Sequence, residues 1–169
     1  MKITAQEEYG LRILIRIAKA GNGEGLSIQA LSNLEGLSPA YVAKLTRILR
    51  KAGYINSNPG NVGGYMLAKP AAEININHVL KTMGGALFHD EFCGSYPGAL
   101  KLCTNSLDCT VRSLWQLIQL SVDNLLQNVS LADLSGTEEK SDQLLNKFLD
   151  IQRFNDQVLS EENKEAFLS

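Results

Sequence analysis

Apolar residues in the first half of the chain recur at helical intervals, broken by glycine and by hydroxyl-bearing residues. The run KITAQEEYGLRILIRIAKAG predicts a helix with Leu11, Leu14, Ile15 and Ala18 on one face. Thr4 and Glu7 stand at capping-box spacing at its start, and Gly21 to Gly25 end it. Two shorter helices follow in LSIQALSNLEGLSPAYVAKLTRILRKAGY: Ser27 caps the first, Gly36 marks a turn, and Ser38-Pro39 supplies the N-cap and first position of the second. Gly53 is placed to end that second helix. Its apolar positions Val42, Leu45, Ile48 and Leu49 face inward, leaving Ser38, Tyr41, Lys44, Arg47 and Lys51 outward. A short helix, a glycine turn and a capped second helix make a helix-turn-helix, whose second helix enters the DNA major groove.

The pattern then changes period. YINSNPGNVGGYMLAKP has two β-like runs around a tip at Asn58, Pro59, Gly60 and Asn61, and predicts a hairpin wing that adds contacts to the DNA backbone or minor groove. The Gly63-Gly64 pair lets the chain bend sharply or approach a phosphate closely. A short helix from about Asn77 to Met83 closes the first unit. From Asp108, Val111, Leu114, Trp115, Ile118, Val122, Leu125, Leu126 and Val129 keep steps of three and four, predicting one amphipathic helix on the order of 30 Å long at 1.5 Å per residue. That is more apolar surface than a small unit covers, and it points to dimerisation, which suits two recognition helices in successive major grooves about 34 Å apart. Packing of that helix on its own domain is the alternative. Ser130 caps a brief turn, and the polar remainder carries one marginal helix at Leu144, Leu145, Phe148 and Ile151. The expected class is therefore mainly α: a winged helix-turn-helix over residues 1–84, a cysteine loop over 85–107, a dimerisation helix and turn over 108–135, and a polar tail over 136–169.

Charge sharpens this division. The net charge of −2 splits into +5 up to Pro70 and −7 beyond it. The outward row of the second helix has three cations and no anion, as a polyanion-binding face requires, although lysines and arginines on helices are more often simply solvated. No apolar run approaches the roughly 18 residues of a membrane span, and the glutamates in MKITAQEEYG stand where a signal peptide needs an apolar stretch. A cytoplasmic protein with no membrane partner is expected. No P-loop, dinucleotide fingerprint or Ser/His/Asp arrangement is present, and with His78 and His89 the only histidines, neither a hydrolytic enzyme nor a small-molecule substrate is expected.

All three cysteines, Cys93, Cys103 and Cys109, fall within seventeen residues at C-x9-C-x5-C spacing. In a reducing compartment such grouping indicates metal or redox chemistry, with buried small hydrophobes as the bland reading. Cys109 begins the long helix, where unpaired N–H groups and the dipole favour an anionic group. A metal site and a reactive thiol group both stay open here.

The runs KITAQEEYGLRIL, LSPAYVAKLTRILRKAGYI, GGYMLAKP and SLADLS, together with the three cysteines, resemble a family of dimeric winged-helix transcriptional regulators over about residues 1–135. That family includes the iron–sulfur regulator IscR and the nitric-oxide-sensitive repressor NsrR. The resemblance implies a homodimeric repressor of a double-stranded DNA operator, with a two-iron or four-iron cluster on Cys93, Cys103 and Cys109; a cluster-free thiol or zinc regulator is the alternative, and a small iron–sulfur redox protein a third reading. Some relatives supply a fourth ligand as a histidine shortly after the third cysteine, where this chain has Arg112. Others use an early acidic residue from the partner subunit, and Glu8 stands at that place; His89, Asp90 and Glu91 are local rivals. The family's minor-groove arginine is matched by Pro59, which leaves Asn58 and Asn61 only neutral hydrogen bonds to offer. The first cysteine gap is longer than the family's usual one, and its Gly94, Pro97 and Gly98 let it fold back.

Overall fold

The protein is described by a computed structural model, over residues 3–21, 25–58, 63–88, 92–95, 103, 108–143 and 146–147. Helix α1 (Ala5–Ala20) starts in the expected capping box: the Thr4 N–H donates to Glu7 Oε2 at 2.8 Å and Thr4 Oγ1 accepts from the Glu7 N–H. Its fully buried positions are Gly10, Ile13, Leu14 and Ile17, while Leu11, Ile15 and Ala18 are half-buried. The buried stripe is thus rotated from the expected one. The reason is that α1 is central and meets α2 (Ile28–Glu35), α3 (Pro39–Lys51) and α4 (Ile76–Gly84) on different sides. Gly10 makes the last contact possible, because a Cβ there would lie 2.2 Å from Met83 Cε.

Helices α2 and α3 carry the expected caps: Ser27 accepts from the Ala30 N–H and Ser38 from the Tyr41 N–H, with Pro39 at the first position of α3. Gly36 turns the chain in the left-handed region at φ 66°. Ala52 caps α3, and Gly53 follows at φ 76°. Val42, Leu45 and Leu49 are buried and Ile48 half-buried. The one hydroxyl in their midst, Thr46, is satisfied by the Val42 carbonyl at 3.0 Å.

Strands β1 (Ile55–Ser57) and β2 (Tyr65–Leu67) pair antiparallel, with Ile55 opposite Leu67 and Ser57 opposite Tyr65. Leu26 adds a third rung by exchanging both backbone hydrogen bonds with Tyr65, at 3.0 and 2.9 Å. Gly64 permits this docking. It sits at φ 130°, and a Cβ there would lie 2.7–2.8 Å from the backbone of Gly25 and Leu26. The Gly63-Gly64 pair therefore serves a close approach of backbone to backbone within the fold.

Helix α5 (Thr110–Leu126) ends three residues before Val129, short of the expected length. Val129 instead returns to the core: the Ile76 N–H donates to its carbonyl at 2.9 Å, and the Leu131 N–H donates to Ile74 O at 2.8 Å. Asn75, the N-cap of α4, also donates its side-chain amide to Gln127 O at 2.8 Å. These bonds anchor α5 and the short α6 (Leu131–Leu134) to the winged-helix unit. Residues 138–143 and 146–147 are helical, whereas Leu144, Leu145, Phe148 and Ile151 lie outside the described residues.

Candidate nucleic-acid interface and cysteine pocket

Helix α3 presents the row that the sequence predicts. Ser38, Lys44, Arg47 and Lys51 are exposed and Tyr41 is half-buried. The Tyr41 ring meets Tyr9 of α1 edge-on, with centroids 6.1 Å apart, and Lys44 Nζ lies 5.9 Å from the Tyr41 centroid. Tyr41 is thereby braced from behind while cations flank it, an arrangement suited to a phosphate-lined groove. At the wing, Asn58 is half-buried and its N–H donates to Gly64 O at 2.8 Å; Pro59, Gly60 and Asn61 lie outside the described residues.

The cysteines gather at the start of α5. Cys93 sits in a 3-10 turn (Phe92–Ser95), and Cys109 is the N-cap of α5, its carbonyl accepting from the Arg112 N–H at 3.1 Å. All three cysteines are half-buried free thiols. They line one cavity of about 310 Å³ with Phe92, Val111, Arg112 and Trp115, and the Phe92 and Trp115 rings are 6.5 Å apart. The donor chemistry suits a thiolate-bound iron–sulfur group. The grouping, however, is a shared cavity and not a closed coordination sphere: among the described residues no three His, Cys, Asp or Glu side chains stand close enough to hold a metal ion. His89, Asp90 and Glu91 lie outside the described residues.

Glu8 is not brought to the thiols within the protomer. It lines a second, apolar groove of about 350 Å³ between the start of α1, α4 and the latter half of α5, with Leu11, Leu80, Leu87, Val122 and Leu125. Its neighbour Glu7 is held in the capping box, as the spacing implies.

Along this groove, where α4 meets α5, lies a polar cluster that sequence reasoning missed. Asp123 Oδ1 receives Lys81 Nζ at 2.6 Å, Asn77 Nδ2 at 2.9 Å and Gln119 Nε2 at 2.9 Å. Gln119 Oε1 in turn accepts the Phe88 N–H at 3.1 Å. Partial desolvation pushes the Asp123 carboxyl up, but the hydrogen bonds from Lys81, Asn77 and Gln119 outweigh it and leave the group below its ordinary value. Also unforeseen, Arg12 and Arg16 both bind Glu35, which sits just before the turn into α3.

The outer side of α5 is unusually apolar. The expected face left out Leu117 and Leu120, yet these are its most exposed apolar residues, at 61% and 58%. No residue of α5 is fully buried, and its apolar positions surround most of the helix. Among the described residues no helix is long and apolar enough to cross a membrane.

A helix-turn-helix with a two-stranded wing and a cationic recognition helix defines a winged-helix DNA-binding protein. Residues 3–137 match the family model described as Rrf2, iron-dependent transcriptional regulator, and the chain belongs to that family. It is a DNA-binding transcriptional regulator and not an enzyme, which removes the redox-carrier reading. Protein rrf2 of Nitratidesulfovibrio vulgaris is 35% identical over 137 residues, covering 79% of this chain and 87% of that one. Among solved structures, IscR of T. potens aligns with a TM-score of 0.62 at 25% identity, over 79% of this chain and 85% of that one. The oxidised form of CymR from Staphylococcus aureus aligns with a TM-score of 0.60 at 30% identity, over 81% and 98%. CymR of B. subtilis, described as its global cysteine regulator, aligns with a TM-score of 0.60 at 26% identity, over 80% and 96%.

Proposed function

We propose that this regulator is a homodimeric repressor whose hold on its operator is governed by the three-cysteine pocket, with an iron–sulfur cluster as the group its thiolates bind. The observation that carries the reading is that Cys93, Cys103 and Cys109 share one cavity at the start of α5, although fifteen residues separate the first from the last in sequence. A bound cluster supplies a centre that oxidants, nitric oxide or iron shortage can alter. The chain's own residues carry the consequence. Gln119 holds the backbone at Phe88, where the cysteine segment begins, and donates to Asp123, which grips Asn77 and Lys81 of α4. Helix α4 packs on α1 and α3, so ordering the pocket stiffens the frame that presents Lys44, Arg47 and Lys51.

The exposed apolar side of α5 is the surface for a second copy. In a two-fold pair with antiparallel α5 helices, the end of α5 beside Glu8 meets the partner's cysteine end, since each contact in such a pair is made twice. Glu8 then serves as the non-cysteine ligand across the interface.

A second reading keeps the dimer and the DNA but uses the bare thiols, or zinc. It is favoured by the lack of a closed metal grouping among the described residues and by the likeness to CymR, which is known in an oxidised form. Protein purified without oxygen separates the two. A coloured protein with iron and acid-labile sulfide, losing its operator response when the three cysteines become alanine, supports the cluster. Colourless protein whose DNA binding still responds to thiol oxidation supports the bare-thiol reading. Colourless protein indifferent to the triple alanine change overturns both.

A further inference from the structure

Among the described residues Glu35 is the most deeply buried charged side chain of the winged-helix unit, at 2% exposure, and it lies where a carboxylate is unfavourable, at the C-terminal end of α2. Two arginines of α1 compensate it. Arg12 Nε donates to Oε2 at 2.6 Å and Arg16 Nε to Oε1 at 2.5 Å, so each carboxylate oxygen is taken by one guanidinium. One carboxylate against two guanidinium groups leaves a net charge of +1. In each arginine the bond to Glu35 runs from Nε, and the side chains remain 44% and 45% exposed. Two long, flexible cations are thus pinned at the inner nitrogen while a large part of each stays in solvent. Their rotamer freedom, which an ordinary surface arginine would lose on binding an anion, has already been lost in the fold.

The position of the pair gives it a target. The Arg12 guanidinium carbon lies 5.4 Å from the Tyr9 ring centroid; Tyr9 meets Tyr41, and Tyr41 meets Lys44. Glu35 is followed directly by the Gly36 turn and the Ser38 cap of α3. The arginines therefore flank the N-terminal end of the recognition helix, the end whose side chains reach base edges. A helix in a major groove about 12 Å wide has a phosphate strand rising on either side of it. Cations held on a neighbouring helix, two aromatic contacts from the groove-facing row, stand where one of those strands runs.

We infer that Arg12 and Arg16, oriented by Glu35, form a phosphate clamp that grips the operator backbone beside the recognition helix. The inference rests on the DNA-binding reading and adds to it a contact set from α1. The clamp carries register and affinity without reading sequence. Glu35 is the positioning residue, and guanidinium geometry is essential, because a lysine ammonium has no inner nitrogen to leave with the carboxylate while its tip binds phosphate.

The test measures binding of full-length, anaerobically purified protein to a labelled duplex that the wild-type protein selects from random sequence, over a series of salt concentrations. The variant Arg12→Met/Arg16→Met/Glu35→Leu replaces the ionic group with apolar side chains, a change that buried ion clusters often tolerate without loss of stability. Its net charge falls by one, so a general charge effect lowers the salt slope by about 0.9, whereas loss of two phosphate contacts lowers it by about 1.8. The clamp predicts the larger change and affinity about tenfold or more lower. The variant Arg12→Lys/Arg16→Lys keeps the charge and, on the same inference, also binds weakly. Unchanged affinity in that lysine variant overturns the clamp, as does a slope in the apolar one that falls by no more than the about 0.9 of the general charge effect; the lysine variant decides alone if the apolar one fails to fold. The pair Arg47→Gln/Lys51→Gln is the control: if it too leaves binding unaltered, the recognition face itself is at fault and not only the clamp.

Discussion

Replacing Leu117 and Leu120 with glutamate puts two charges on the exposed apolar surface of α5. In the single protomer these side chains are 61% and 58% exposed, and Leu114 and Val111 are 50% and 54% exposed. Burying one such side chain completely stabilises by roughly 1.5–3 kcal/mol. Covering the exposed halves of all four on both protomers contributes roughly 6–13 kcal/mol before the costs of association. The double change removes about half of this gain and buries carboxylates without partners. The dimer should therefore weaken by at least a hundredfold, the equivalent of about 2.7 kcal/mol. Sedimentation equilibrium of the full chain, with circular dichroism to confirm an intact fold, checks the outcome. Because both leucines are exposed in the protomer, helix content should be unchanged. A double variant that stays dimeric at the concentrations where the wild type does would refute this use of α5.

Three further outcomes follow from individual contacts. Asp123→Asn removes the acceptor shared by Lys81, Asn77 and Gln119; because the folded carboxyl sits below its ordinary value, the stability it adds is present above about pH 4 and is lost as pH falls through the folded value. The difference in melting temperature between wild type and variant should be largest near neutrality and shrink in acid, and a gap constant with pH would count against the network. Gly64→Ala forces a side chain into a φ of 130° and against the backbone of Gly25 and Leu26. It should cost about 1–3 kcal/mol and abolish amide-exchange protection at Leu26 and Tyr65, and retained protection there would disprove the docking role. Finally, Arg47→Gln/Lys51→Gln should lower the salt slope of DNA binding by about 1.8, a change visible in fluorescence anisotropy titrations.

Much of the helical skeleton was legible because its signals are local. The Thr4–Glu7 box, the Ser27 and Ser38 caps, Pro39 and the Gly36 turn act over three or four residues, and each does in the structure what its spacing implies. The outward row of α3 was legible for the same reason, since one apolar stripe settles which side faces out. Periodicity failed where a helix has more than one neighbour. Helix α1 is packed on several sides, so its buried stripe is rotated, and α5 is apolar nearly all round, so a single-face reading passed over Leu117 and Leu120.

Tertiary structure alone decided the rest. Val129 fits the helical period of α5, yet leaves the helix to pair with Ile76, because burial in the core outweighs one more helical turn. The Gly63-Gly64 pair is compatible with many close approaches, and only the fold makes it the meeting point with Gly25. Glu35 stands 23 and 19 residues from Arg12 and Arg16, and the three count simply as charges until α1 and α2 cross; an acid at the C-terminal end of a helix was the one local hint of a partner. The cysteines announced themselves by clustering, but their shared cavity depends on how Phe92 and Cys93 lie against the start of α5, and the separate groove that Glu8 lines on how α5 lies against α4 and α1. Caps and stripes are written in short-range chemistry, whereas pockets and ion clusters exist only once distant segments have been packed together.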